Sequence, residues 1–133
     1  MLKLFTTCLF TLGLSACTAI PVESVPPIQI AGMVMENQTQ MYLSAVRLLV
    51  PATGNFVSCG NIPPGSMCST TFPEADYKGN PVEITWSQGG EMHSTGQFRV
   101  QLPGDLDRNR TAQVHVVISG QGLAGAVITQ SSK

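Results

Sequence analysis

With 133 residues, seven Lys/Arg against eight Asp/Glu and a formal charge of −1, the chain lacks the basic run that nucleic acid or anionic headgroups would require. Hydrophobic residues make up 43% and charged ones only 11%, enough apolar material for one core but not two. A surface drawn from Ser, Thr, Gln and Asn instead of charges suits an exported all-β domain.

The first element is a leader. Met1-Leu2-Lys3 supplies a positive start, and Leu4 to Leu14 is apolar apart from threonines, Cys8 and Gly13. This run is too short to cross a hydrocarbon core of ~30 Å as a helix, so it reads as an export signal. Leu14-Ser15-Ala16-Cys17 ends it and resembles the lipobox of bacterial lipoproteins at all four positions: aliphatic, small, small, cysteine. The resemblance implies cleavage after residue 16 and acylation of Cys17 on its sulfur and its new amino terminus. Several acyl chains give stable membrane residence where a single one gives only marginal binding. Thr18, where an aspartate would signal inner-membrane retention, implies the outer membrane of a Gram-negative cell.

Residues 17–27 form the lipidated terminus and a spacer, with three prolines between Thr18 and Pro27 and no helical period. The domain is expected over 28–133, and its dominant signal is period two. Ile28, Ile30, Gly32 and Val34 alternate with Gln29, Ala31, Met33 and Met35 in a first strand. Met41 to Val50 is a second, with Val46, Leu48 and Val50 on one face and Arg47 on the other. Phe56 to Cys59 and Ser69 to Phe72 are a third and fourth, and Pro73 to Pro81 reads as a loop. Val82, Ile84 and Trp86 alternate with Glu83, Thr85 and Ser87. Gln88-Gly89-Gly90 then turns into a long strand from Glu91 to Leu102, with Gly96 as a candidate bulge. Val114, Val116 and Ile118 oppose Gln113, His115 and Val117, and Ala124 to Thr129 closes the series. Seven or eight strands with turn signals at short intervals and no amphipathic helix predict an all-β fold. The expected architecture is a two-sheet antiparallel β-sandwich, immunoglobulin-like or transthyretin-like.

Cysteine usage follows from the leader. Cys8 departs with the signal and Cys17 is acylated, leaving Cys59 and Cys68 in an oxidising compartment. A pair this close, flanking a Pro- and Gly-rich turn, is expected to form a disulfide. Closing a ten-residue loop stabilises by about 2.5–3 kcal/mol in the chain-entropy model.

No catalytic constellation stands out. Ser94, His115 and Asp105 supply the residue types of a hydrolase triad without any local signature of one, and His115 and His93 read as solvated surface residues. Asp105-Leu106-Asp107-Arg108-Asn109 opens like a calcium loop. Arg110 stands where that loop needs glycine and Val116 where it needs glutamate, so an Asx-rich turn is the better reading and no metal is expected. Trp86 belongs to the core. Tyr77, in the loop beside Asp76 and Asn80, together with Asp105 and Asp107, is the candidate ligand contact.

These features predict a non-catalytic binding or adaptor lipoprotein without cofactor, held to the outer membrane by its acyl chains and engaging another envelope protein. In size and class it is similar to the outer-membrane lipoprotein of type VI secretion systems, a transthyretin-like sandwich that docks a larger assembly. An envelope glycan and an immunity-type inhibitory role are the alternatives.

Overall fold

A computed structural model of the chain describes residues 27–120 and 122–131; the leader, Cys17 and the spacer up to residue 26 lie outside the described residues. Eight strands follow in order: β1 (Ile28–Asn37), β2 (Leu43–Val50), β3 (Asn55–Ile62), β4 (Met67–Tyr77), β5 (Glu83–Gln88), β6 (Glu91–Ser94), β7 (Ala112–Gly120) and β8 (Leu123–Thr129). The first sheet runs β4-β1-β7-β8 and the second β3-β2-β5-β6. Together they form the expected β-sandwich. All neighbours are antiparallel except β1 and β7, which run parallel. The whole second sheet separates those two in sequence, long enough for the crossover that parallel pairing needs.

The core lies between the sheets. Val82, Ile84 and Trp86 point into it, as do Leu43, Val46 and Leu48 from β2 and Val114, Val116 and Ile118 from β7. β1 departs from strict alternation. Ile28 and Ile30 face inward, but so do Met33 and Met35, while Val34 is only half-buried. The register against β4 and β7 shifts between Ile30 and Gly32, and this extra residue reverses the phase of the rest of the strand. Gly32 sits where β4 comes close: a Cβ there would stand 3.0 Å from the Thr70 carbonyl.

Three boundaries differ from expectation. β4 continues through Pro73 to Tyr77 because it is an edge strand, where a proline forfeits no ladder bond on its open side. β3 and β4 reach past their cysteines, so the connecting turn shrinks to Pro63–Ser66, closed by a Ser66 N–H to Pro63 carbonyl bond of 3.1 Å. Pro64 and Gly65, with φ of +70° at the glycine, suit the two central positions of a type II turn. The strand expected over Glu91–Leu102 stops at Ser94. Beyond it Phe98 pairs with Val82 beside the second sheet, and Gln101 then pairs with Val127 of the first. This crossing segment closes one flank of the sandwich. The Cys59–Cys68 disulfide, with Cα atoms 6.0 Å apart, ties edge strands β3 and β4 and closes the other.

Among the described residues one polar side chain is buried completely. Asn37, 0% exposed at the end of β1, donates from Nδ2 to the carbonyls of Met41 (2.8 Å) and Ile62 (3.0 Å). Its Oδ1 accepts from the Thr39 amide (2.9 Å) and hydroxyl (2.6 Å). Its backbone accepts from Gly65 and donates to Ser66. Every hydrogen-bonding position of the amide is used, which is the condition for a buried polar group to stabilise.

Two stability outcomes follow. Asn37→Ala takes the amide donor from the buried Ile62 carbonyl and removes three further bonds of the hub, and is expected to cost about 2–4 kcal/mol in urea unfolding. Ala45 occupies the left-handed region (φ 50°) at a bulge in β2, and its side chain is exposed. Ala45→Gly removes that strain and is expected to raise stability by roughly 0.5–1 kcal/mol in the same assay.

Candidate functional site

The two ends of the sandwich are filled differently. Near Asn37 the inward positions carry Trp86, Met35, Leu43, Ile62 and Ile118, all fully buried. At the opposite end, where β1 begins, they are mostly valines: Val50, Val57, Val82, Val100 and Val114. Smaller side chains at the same sheet separation leave space. A cavity of about 570 Å³ opens there between the sheets, within the range of small-molecule sites. Ile30 and Leu48 complete its apolar walls. The large core residues that keep most exposure, Leu48 (6%), Val100 (6%) and Val114 (7%), all line it. Thr53, Asn55, Asp76, Lys78 and Asn80 form a polar rim, and Phe56 lies at the mouth, 57% exposed, beneath the Arg47 guanidinium at 5.2 Å.

Tyr77 joins rim to wall. It does not sit in a loop, as expected, but closes β4 opposite Ile28. Its hydroxyl donates to the Asn80 carbonyl (3.1 Å) and accepts from the Val100 amide (3.4 Å). Burial pushes the phenol above its ordinary value of 10.0, against the opposing pull of the Val100 amide and the Arg99 charge.

The other candidate residues are not brought to this cavity. Asp107 sits in an Asx turn: its Oδ1 accepts from the Asn109 amide at 3.0 Å. Gln130 clamps that turn to the end of β8, accepting from the Asp107 amide (2.9 Å) and donating to the Asp107 carbonyl (2.7 Å). Asp105 is exposed in the same connection, and neither aspartate lines the cavity. Among the described residues no three His, Cys, Asp or Glu side chains gather where a metal could be held.

Ser94, His115 and Asp105 lie on β6, on β7 and in the loop preceding β7. Ser94 donates to Glu83 at 2.6 Å. His115 faces outward and pairs with Glu36 of the neighbouring strand at 3.2 Å. A shallow recess of about 290 Å³ beside it is lined by Phe98, Arg99, Gln101 and Val117. His93 differs from the solvated residue expected. It is half-buried and stacks on Trp86 with ring centroids 5.7 Å apart, covering the indole at the sheet edge. Trp86 itself is 0% exposed, and its Nε1 donates to Gln88 at 3.3 Å, so it presents no face to a sugar.

No helix among the described residues is long and apolar enough to cross a membrane. No family model and no curated protein matches the chain. A solved structure described as the NMR structure of the protein from Eubacterium rectale is similar over 75% of this chain and 85% of its own, with 12% identity and a TM-score of 0.44.

The raised Tyr77 pKa fixes the sign of an alkaline effect. The folded state favours the protonated phenol, so this contribution is complete below about pH 10 and is lost as pH rises through the folded pKa. Urea midpoints measured from pH 9 to 11.5 are expected to fall in that window, and Tyr77→Phe is expected to flatten the fall.

Proposed function

We propose that the protein is a lipid-anchored, non-catalytic adaptor of the bacterial outer membrane that docks another envelope protein through the end of the sandwich remote from its anchor. The resemblance of Leu14-Ser15-Ala16-Cys17 to a lipobox supports the anchor, and the proline-bearing spacer supports a body held off the bilayer. The chain enters the fold at Ile28, beside the cavity, so the Asn37 end points away from the tether.

One observation carries the docking half of the reading. Seven large apolar side chains are exposed among the described residues, and five of them gather at the Asn37 end: Met41, Tyr42, Met67, Met92 and Leu123, at 42–68% exposure. They stand on or beside the turns that join β1 to β2, β3 to β4, β5 to β6 and β7 to β8. Apolar side chains concentrated in one exposed region are the usual mark of an interaction surface. Methionine and tyrosine suit a protein partner, since they supply large contact area with adaptable geometry.

A photo-crosslinking amino acid at Tyr42 or Leu123, in the lipidated protein in its own cells, is expected to trap one discrete envelope protein. The same probe at exposed Gln113, in the middle of β7, is expected to trap none. Equal labelling at all three positions, or none at either apolar position, contradicts the docking surface.

A further inference from the structure

The cavity at the anchored end calls for an occupant of different chemistry. We infer that it binds the acyl chain of a membrane lipid or fatty acid, with the polar head left at the rim. This rests on the lipid-anchored reading for where the acyl chain comes from, but its geometry stands on the described fold alone.

Hydrogen-bonding capacity decides what can enter. The walls are aliphatic, contributed by both sheets and by the crossing segment. The polar group that reaches them, the Tyr77 hydroxyl, already donates to Asn80 and accepts from Val100. A sugar ring or a peptide placed inside would lose water and gain little in exchange, at a cost of a few kcal/mol per unpaired polar group. A hydrocarbon chain loses nothing of that kind and removes apolar wall from water. The mouth is suited to an anionic head: Lys78 offers a cation, and Thr53, Asn55 and Asn80 offer neutral hydrogen-bonding groups. Asp76 is the acidic member of the same rim and disfavours a head carrying two full negative charges.

Position agrees with this chemistry. β1 opens at the mouth, opposite Tyr77, and nine residues lie between Cys17 and Pro27. Fully extended, that segment spans at most about 35 Å. An anchored Cys17 therefore keeps the mouth within reach of a bilayer surface, where acyl chains are the most abundant apolar ligand. A membrane lipid is the occupant proposed, in preference to the chains attached to Cys17, because those chains must stay in the bilayer for the anchor to hold.

The test begins with the chain from Thr18 to Lys133, exported behind an ordinary cleavable leader so that no acyl chain is attached. The described core starts at Ile28, so this form keeps all of it. Calorimetric titration with octanoate, decanoate, dodecanoate and tetradecanoate, each below its micelle concentration, is expected to show saturable one-to-one binding. Affinity should rise about tenfold for each two methylenes until the cavity is full, then level off. Val57→Trp, at the half-buried wall, should weaken tetradecanoate at least tenfold while the thermal midpoint stays within a few degrees. Val114→Trp is the second filling variant, should the first relax away from the cavity. Lys78→Gln should weaken the fatty acid but leave the matching alcohol unchanged. Affinity independent of chain length, or unchanged in both tryptophan variants, overturns the inference.

Native mass spectrometry of the lipidated protein from its own membrane then identifies the source. A non-covalent lipid adduct that disappears in Val57→Trp supports a membrane lipid. No adduct, alongside fatty-acid binding by the unacylated chain, means that the Cys17 chains fill the cavity and overturns the source proposed here. Intact mass at Cys17 reads the anchor separately, so failure of the anchor and failure of the cavity are distinguishable.

Discussion

The sandwich depends on one buried amide. Asn37 joins the end of β1 to Met41 before β2, to Ile62 at the end of β3 and to Thr39 in the turn between. Its backbone holds the β3–β4 turn through Gly65 and Ser66, and the next residue, Gln38, donates to Ile118 of β7. Four chain segments thus meet at Asn37, and Gln38 adds β7 as a fifth. An apolar side chain of similar size could fill the volume but would take the amide donor from the Ile62 carbonyl and leave the Met41 carbonyl to the Thr39 hydroxyl alone. The same net of bonds explains why this end can be packed so tightly. Once the turns are locked, Trp86, Met35, Leu43, Ile62 and Ile118 fill the space between sheets whose separation is already set.

Among the described residues nothing comparable closes the sandwich away from Asn37. The Tyr77 hydroxyl bridges Asn80 and Val100, two bonds in place of a locked hub, and five of the cavity-lining residues are valines beside Ile30 and Leu48. Both flanks are shut, one by the Cys59–Cys68 disulfide and the other by the segment that passes from Val82 to Val127. Opening is therefore confined to the end where β1 begins. A disulfide at the β3–β4 flank also lets two edge strands lie next to each other without a ladder between them, and it shields edges that would otherwise invite pairing with other chains.

Much of this was legible as period two. β5 and β7 read directly from sequence because each is a regular central strand with one face buried, and Cys59 and Cys68 read from the export context. The phase of β1 after Ile30 is not legible because the bulge between Ile30 and Gly32 leaves no compositional trace; glycine alone does not say which way the following residues turn. β4 was cut short at Pro73 because a proline argues against a strand unless the strand is known to lie at an edge, which is a property of the sheet. The segment after Ser94 alternates like a strand, yet it serves two sheets in succession, and no local pattern encodes that change. The aspartates of the Asp105–Asn109 turn were legible as backbone-bonding groups. Tyr77 reads as a loop aromatic in the sequence, but its position follows from β4 running to its full length. The cavity was not legible, since it is a volume difference between residues from six separate segments. Its one trace is the bias to valine at inward positions on one end and to Trp, Met, Leu and Ile on the other.

That bias gives the two ends opposite chemical characters. At the Asn37 end the interior is full and the apolar groups left over stand outside, on turns. At the other end the exterior rim is polar and the unfilled apolar surface lies inside. A rigid, full interior under Met41, Tyr42 and Leu123 means that a partner docking there meets a fixed surface and pays little ordering entropy beyond the side chains themselves. Under the rim, by contrast, the walls can take up volume without unlocking the Asn37 hub, because the core between Trp86 and Val114 separates the two. Occupancy of the cavity and engagement of a partner are thus expected to be thermodynamically independent to first order, since no two-state element links them. Under the function proposed above, such an adaptor would hold a lipid and a protein at once, and its anchoring would not depend on whether its partner is present.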